Sequence, residues 1–259
     1  MIEPKIYFPQ VTINKMNVPF TIKLAVTKRD QIVDRILDTT AKMIAKDLDE
    51  IDDKFSPLKT NSLISKFHRG DSESFFQDTM FQTVYNQCAI AKVATNGYYD
   101  AFKNDRFDPT GILKGWSIET EFQKHLKPLL VDPAIVGVSL GSDGDTQLAT
   151  KANNNFSWNV VVTNPDNGCG IVAEYNIANG AIATAVADNA DIDTPTQITV
   201  LSKGLTEAAV LANAGLTDRT AEVETWIEKS RLTGLLIARN SGMTVFTHGQ
   251  FDNVAQAQM

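Results

Sequence analysis

Three histidines, His68, His125 and His248, each stand without a second ligand at helical or hairpin spacing, which argues against a zinc site. Neither Gly-x-x-x-x-Gly-Lys-Ser/Thr nor a Gly-x-Gly-x-x-Gly after a strand occurs, so the standard phosphate-cradling loops are missing. Asp143-Gly144-Asp145 could open a calcium loop, but Leu148 stands where such a loop needs its glycine, and a plain acidic turn is the simpler reading. The segment from Asp108 to Glu119, Asp-Pro-Thr-Gly-Ile-Leu-Lys-Gly-Trp-Ser-Ile-Glu, is more informative. Gly111 and Gly115 let backbone come close to a ligand, and Lys114 sets a cation beside the first amides of a helix. Backbone N–H groups at the positive end of a helix suit an anion. The same spacing also describes a tight strand-to-helix turn with a surface lysine.

The elements around this segment follow from periodicity. Phe20, Ile22, Leu24 and Val26 alternate as in a half-buried strand over 19–26. Asp30 can cap a helix whose apolar stripe is Val33, Leu37, Ala41, Ile44, Leu48 and Ile51. A polar stretch over 55–71 reads as an ordered loop with brief helical turns. A second helix is predicted over 74–94, with Gly97 placed to end it, and a third carries Ile118, Phe122 and Leu126 and stops before Pro128. Strands are expected over 134–140, 158–163, 170–177 and 198–201, helices over 205–214 and 221–231, and hairpins at Asn179-Gly180 and around Asn240-Ser241-Gly242. Helices and strands come in clusters, which indicates an α+β domain with antiparallel sheets and flanking helices.

Composition bounds the rest. At 259 residues, 43% of them hydrophobic, the chain can bury a core without disulfides or a structural metal, and one domain over 1–259 is expected. A net charge of -7 with no basic cluster argues against nucleic acid or an anionic membrane, and any phosphate ligand needs a counter-cation. No window approaches the ~20 apolar residues of a membrane helix, and the N-terminal residues do not read as a secretion signal. Cys88 and Cys169, without metal-type spacing, read as reduced thiols of a cytoplasmic protein.

The segment Asp108 to Glu119 resembles the Asp-Leu-Gly-Gly-Ile-Ala-Lys-Gly-Tyr-Ala-x-Asp signature of the ApbE family, the FAD:protein FMN transferases. Other blocks agree in order. Met16-Asn17-Val18-Pro19-Phe20 is similar to Met-Gly-Thr near the first strand, and 55–67 to Phe-Ser-x-Tyr followed by Asp-Ser-x-Leu-Ser-x-Leu-Asn. Thr95-Asn96-Gly97-Tyr98-Tyr99-Asp100 resembles Thr-x-Gly-Ala-Phe-Asp, and Ser139 to Asp143 resembles Asn-x-Gly-Gly-Asp. Ala181-Ile182-Ala183-Thr184 matches the start of Ala-Ile-Ala-Thr-Ser-Gly, and Thr206-Glu207-Ala208 resembles a late Ala-Asp-Ala. The blocks span nearly the whole chain.

The resemblance implies a protein that binds FAD with Mg²⁺ and moves the FMN half onto a threonine of a partner flavoprotein, releasing AMP. It implies flavin-nucleotide contacts at Met16, Leu58, Tyr98, Tyr99, Asp100, Lys114 and Glu119, and metal ligands at Ser117, through its carbonyl, and Glu207. Where the family has a threonine four residues beyond its aspartate, this chain has Leu211, and Ala185-Val186 replaces Ser-Gly. The His-Ile-Ile-Asp-Pro-x-Thr-Gly block is matched best by residues 190–197, which lack the histidine. Asp191 or Asp193 could take over proton removal, or both could be solvated turn residues. A catalytically impaired FAD-binding or interaction protein is thus the alternative to a transferase, and hydrolysis of FAD to FMN and AMP is a third reading.

Overall fold

In the computed structural model, which describes residues 5–71, 73–103, 106–163, 170–187 and 191–252, the alternation around Phe20 becomes the second strand of a wide antiparallel sheet. β1 (Gln10–Lys15) and β2 (Val18–Val26) are joined by Met16 and Asn17, whose φ values of 52° and 63° make the two-residue turn that matches the twist of a hairpin. Asp30 then caps α1 (Gln31–Phe55), accepting from the N–H groups of Ile32 and Val33, and all six residues of the expected stripe are buried. The polar stretch after it contains α2 (Leu63–His68), capped by the Ser62 hydroxyl.

The helix expected over 74–94 is broken. α3 (Glu73–Gln77) and α4 (Thr79–Ala94) meet at Asp78, whose carboxylate accepts from Phe81 N–H at 2.8 Å and restarts the helix as a cap, a role aspartate fills better than a helix interior. α5 (Thr110–Glu121) passes at its end into a π-helical turn over Phe122–Leu126 and a 3-10 turn over Lys127–Val131. Pro128 does not stop the helix from outside but sits in the first turn of that 3-10 segment, where no N–H is required.

The remaining strands are β3 (Ile135–Ser142), β4 (Asp145–Thr150), β5 (Trp158–Thr163), β6 (Ile171–Ile177), β7 (Gly180–Val186), β8 (Pro195–Ser202), β9 (Thr233–Ala238), β10 (Gly242–Thr247) and β11 (Gln250–Asp252). Two helices, α6 (Leu205–Ala214) and α7 (Thr220–Ser230), lie between β8 and β9. Among the described residues the main sheet has nine strands in the order β1-β2-β3-β4-β7-β8-β9-β10-β11, and β5-β6 form a separate ribbon. Asn179-Gly180 is therefore not a hairpin: it carries the chain from the ribbon into the main sheet, and the Asn179 side chain accepts from Thr150 N–H. Another tight turn with positive φ at both central residues, like that at Met16-Asn17, is Asp143-Gly144, at 46° and 86°, between β3 and β4. The hairpin around Asn240 to Gly242 forms as expected between β9 and β10.

Period-two alternation gives the main sheet two apolar faces. Phe20, Ile22, Leu24, Val138, Leu140, Ile198 and Val200 join the cores of α1, α4, α5 and α6. Ile182, Leu235 and Ile237 pack under the β5-β6 ribbon beside Val162, and Ala25 and Leu148 under Trp158. The result is an α+β fold with antiparallel sheets and flanking helices. Among the described residues no helix is long and apolar enough to cross a membrane. Cys88 is buried, which pushes its thiol up to about 12 and keeps it unreactive, while Cys169 lies outside the described residues.

Candidate functional site

The site is built on the contact between α5 and α6. A Cβ at Gly115 would lie 2.8 Å from Ala209 Cβ and 3.1 Å from the Leu205 carbonyl oxygen, so only glycine allows this approach. At the start of α5 the anion is already present: Asp108 Oδ1 accepts from Thr110 N–H at 3.0 Å. Lys114 turns instead toward β4, where its Nζ stands 3.0 Å from Asp145 Oδ2. Asp145 is 5% exposed, and its carboxyl is raised by burial, against the Lys114 charge and the Thr184 N–H, which donates to Oδ1 at 3.1 Å. Lys114 remains about one-third exposed (34%) and faces a cleft of 430 Å³ with Met16, Thr184 and Asn213.

A second cavity, of 650 Å³, shares Gly111 and Asn213 with the first. Tyr98, Tyr99, Asp100, Lys103 and Arg106 line it. Tyr98 packs against Trp226 at 5.6 Å between ring centroids. Tyr99 is a core residue, its hydroxyl 3.9 Å from Cys88 Sγ and its acidity suppressed by burial. Asp100 is held below the ordinary carboxylate range by a hydrogen bond from Lys92. The first cavity sets Lys114 beside Asp145, and the second sets Lys103 and Arg106 beside Asp100 and Asp108, so each offers cations to a phosphate-bearing ligand with carboxylates close by.

The fold has known counterparts. It matches the flavin transferase ApbE of Vibrio cholerae with a TM-score of 0.64 at 14% identity, covering 94% of this chain and 98% of that one. It matches the Pseudomonas stutzeri flavinyl transferase ApbE, apo form, with a TM-score of 0.71 at 10% identity (95% and 97% covered). It matches the ApbE protein of Thermotoga maritima with a TM-score of 0.69 at 15% identity (93% and 97% covered). The fold is that of the ApbE flavin transferases. No protein-family profile matches the sequence, and no curated protein does.

On this ApbE fold the residues singled out in the sequence fall into separate groups. Met16 and Lys114 share the first cavity, and Tyr98, Tyr99 and Asp100 the second. Glu119 and Glu207 line a third cleft, of 870 Å³, with Leu211. The Glu119 carboxylate accepts from Thr206 N–H at 2.8 Å and crowds Gly204, so it serves as the cap of α6 from a distance. Replacing Glu119 with alanine is expected to cost about 1–2 kcal/mol, the worth of a helix cap, read as a lower midpoint in urea unfolding. Glu207 is exposed and hydrogen-bonded to the Ser202 hydroxyl, and the Ser117 hydroxyl donates to the Leu113 carbonyl in the interior of α5. Leu58 is 80% exposed and lines none of the three clefts. Asp191 and Asp193 are exposed in the connection that leaves the first cavity at Val186, and the Asp193 carbonyl accepts from Thr220 at the start of α7.

Magnesium can be tested against these donors. Mg²⁺ takes an octahedron of oxygens, usually one or two carboxylates plus substrate phosphates and water. The cavity at Lys114 has one described carboxylate, Asp145, already committed to Lys114 and Thr184, and α6 presents Ala209 and Ala212 to it. Glu207 lies in a different cleft with Leu211 for a neighbour. These residues do not form a magnesium site beside Lys114.

In the sequence Asp145 reads as part of a plain acidic turn rather than a calcium loop, and Gln147 carries no motif, yet both belong to the surroundings of Lys114. Gln147 is buried and ties β4 to the start of α6, accepting from Leu205 N–H at 2.8 Å and donating to the Gly180 carbonyl at 3.0 Å. The available signal was the alternation Asp145, Gln147, Ala149, which puts two polar side chains on the strand face turned toward the helices. Polar groups on a covered face need fixed partners, and such partners mark a site or its scaffold.

Proposed function

We propose that this protein is a cytoplasmic FAD-binding flavin transferase, one domain over its length, that moves the FMN half of FAD onto a threonine hydroxyl of a partner flavoprotein. The threonine oxygen forms a bond to the FMN phosphorus, the bond to the AMP phosphate breaks, and AMP leaves. Supporting this reading is one observation above others: two neighbouring cavities around the start of α5, on a fold shared with flavin transferases over nearly their whole length, are lined by Lys114 in the first and by Lys103 and Arg106 in the second. Lys114 supplies the positive charge that the transferring phosphoryl group requires. Met16 and Tyr98 border the bound nucleotide, and Asp191 or Asp193 accepts the threonine proton. Magnesium is the cation the resemblance implies, but the donors at Lys114 do not suit it.

The second reading is FAD bound without transfer. It is favoured by the absence of a second carboxylate beside Lys114 among the described residues and by the exposure of Asp191 and Asp193. Mass spectrometry of a threonine-bearing acceptor after incubation with FAD separates the two. The expected result is an FMN-sized gain, slowed about 10²–10⁴-fold by the double change Asp191→Asn and Asp193→Asn with FAD affinity unchanged. An unmodified acceptor with flavin demonstrably bound removes the transfer, and free FMN with AMP in its place marks hydrolysis.

A further inference from the structure

The far end of α5 carries a second group of chemically capable side chains, away from Lys114. Asp47 comes from α1, Glu121 is the last residue of α5, and His125 lies in the π-helical turn that follows. His125 Nε2 stands 2.7 Å from Asp47 Oδ2 and 3.3 Å from Glu121 Oε2. One ligand atom from each of the three lies within 4.8 Å of the others, and no other such convergence of His, Cys, Asp or Glu occurs among the described residues. The sequence reading that His125 stands without a partner at helical spacing is corrected by this contact: Glu121 is that partner, four residues back. A π turn re-aims side chains by widening the helix, and such turns recur where helices build functional sites.

The state of Glu121 distinguishes this cluster from a solvated ion-pair network. Glu121 is 2% exposed, and its Oε2 receives no hydrogen bond, the nearby His125 Nε2 being engaged with Asp47. A buried carboxylate oxygen with an open lone pair is costly unless something positive fills the gap. Burial first, and then the negative charge of Asp47, pushes the Glu121 carboxyl up to about 8. Burial also works against Asp47, but hydrogen bonds from His125 and Lys124 outweigh it and hold that carboxylate below its usual range. One carboxylate, one imidazole and an unfilled oxygen thus face a single point between two helices.

We propose that Asp47, Glu121 and His125 bind a divalent transition-metal ion of the zinc class, which staples α1 to the end of α5. One imidazole nitrogen and two carboxylate oxygens, with water in the fourth position, are an ordinary set for that ion. With metal–ligand bonds of about 2.0–2.1 Å, tetrahedral ligand atoms stand about 3.3 Å apart. His125 and Glu121 already have that spacing. Asp47 draws back slightly from His125 to admit the ion, and Lys124, an exposed partner of Asp47, turns to solvent. The nitrogen donor disfavours magnesium and calcium, which seek oxygen alone.

The site is independent of the flavin reading, and its test needs no activity. Metal-stripped protein is titrated with Zn²⁺ in competition with a chromophoric chelator, and with Co²⁺, whose visible spectrum reports its coordination. The expected result is one tight equivalent of Zn²⁺ and a four- or five-coordinate Co²⁺ spectrum, with affinity at least about tenfold weaker in Glu121→Gln and in His125→Ala. Asp47→Asn, at the more exposed edge of the cluster, gives the same loss should either of those variants fail to fold. Absence of Zn²⁺ uptake by the wild-type protein, or uptake equal in the folded variants, overturns the proposal and leaves Glu121 as a protonated acid in the core.

Discussion

On the proposed reading, replacing Lys114 with methionine is expected to weaken FAD binding about 10- to 100-fold, the worth of one charged hydrogen bond to phosphate. The same change is expected to destabilise the fold by about 2–4 kcal/mol. The second effect follows from Asp145, which is buried and keeps only the Thr184 N–H once its cation is gone. Breaking a buried pair from one side costs about 3–5 kcal/mol, and the partial exposure of Lys114 lowers that figure. The two effects are separable. Adding Asp145→Asn to Lys114→Met removes the stranded charge, so urea unfolding should return to within about 1 kcal/mol of the wild type, while calorimetric FAD affinity stays low. Wild-type affinity in Lys114→Met would take the diphosphate away from this cavity.

Gly115→Val is the second large change. The contact of α5 with α6 leaves no space for a side chain, because a Cβ at position 115 already meets Ala209 and the Leu205 carbonyl. Overpacking of this kind costs about 1–3 kcal/mol, and relief comes only by separating the helices. These helices form two of the walls of the Lys114 cavity, with Lys114 on one and Asn213 on the other, and β2 and β7 help close the rest. A folded Gly115→Val protein should therefore lose flavin affinity together with stability, in contrast to Glu119→Ala, which removes a cap without wedging the helices apart. Unchanged thermal unfolding in Gly115→Val would mean that the helices can part at no cost, contrary to the packing seen.

How much was legible beforehand depends on how local the cause was. The α1 stripe, the Asp30 cap and the alternation in β2 are decided within a few residues of themselves, and all formed as expected. Asp78 shows the limit of periodicity: apolar residues at helical spacing continued across it, but one carboxylate able to accept an N–H ended one helix and began another. Asn179-Gly180 shows a different limit. Its residue types suit a tight turn, yet β4 competes for β7 and leaves β6 to β5, so the chain crosses between sheets at that point. The Lys114 segment was visible as a candidate, whereas its partner Asp145 was hidden in what looked like a plain acidic turn.

By itself the sequence determined the α+β character, the identity of most helices, the lysine-bearing segment and a resemblance to the fold of the flavin transferases. Each of these is written in spacing or residue type along the chain. Only the tertiary structure decided that Lys114 faces Asp145, that Glu207 opens into another cleft, and that Asp47, Glu121 and His125 converge. Those facts depend on which strand lies beside which helix, and that is set by burial of apolar surface over the whole molecule at once rather than by any segment's own preference.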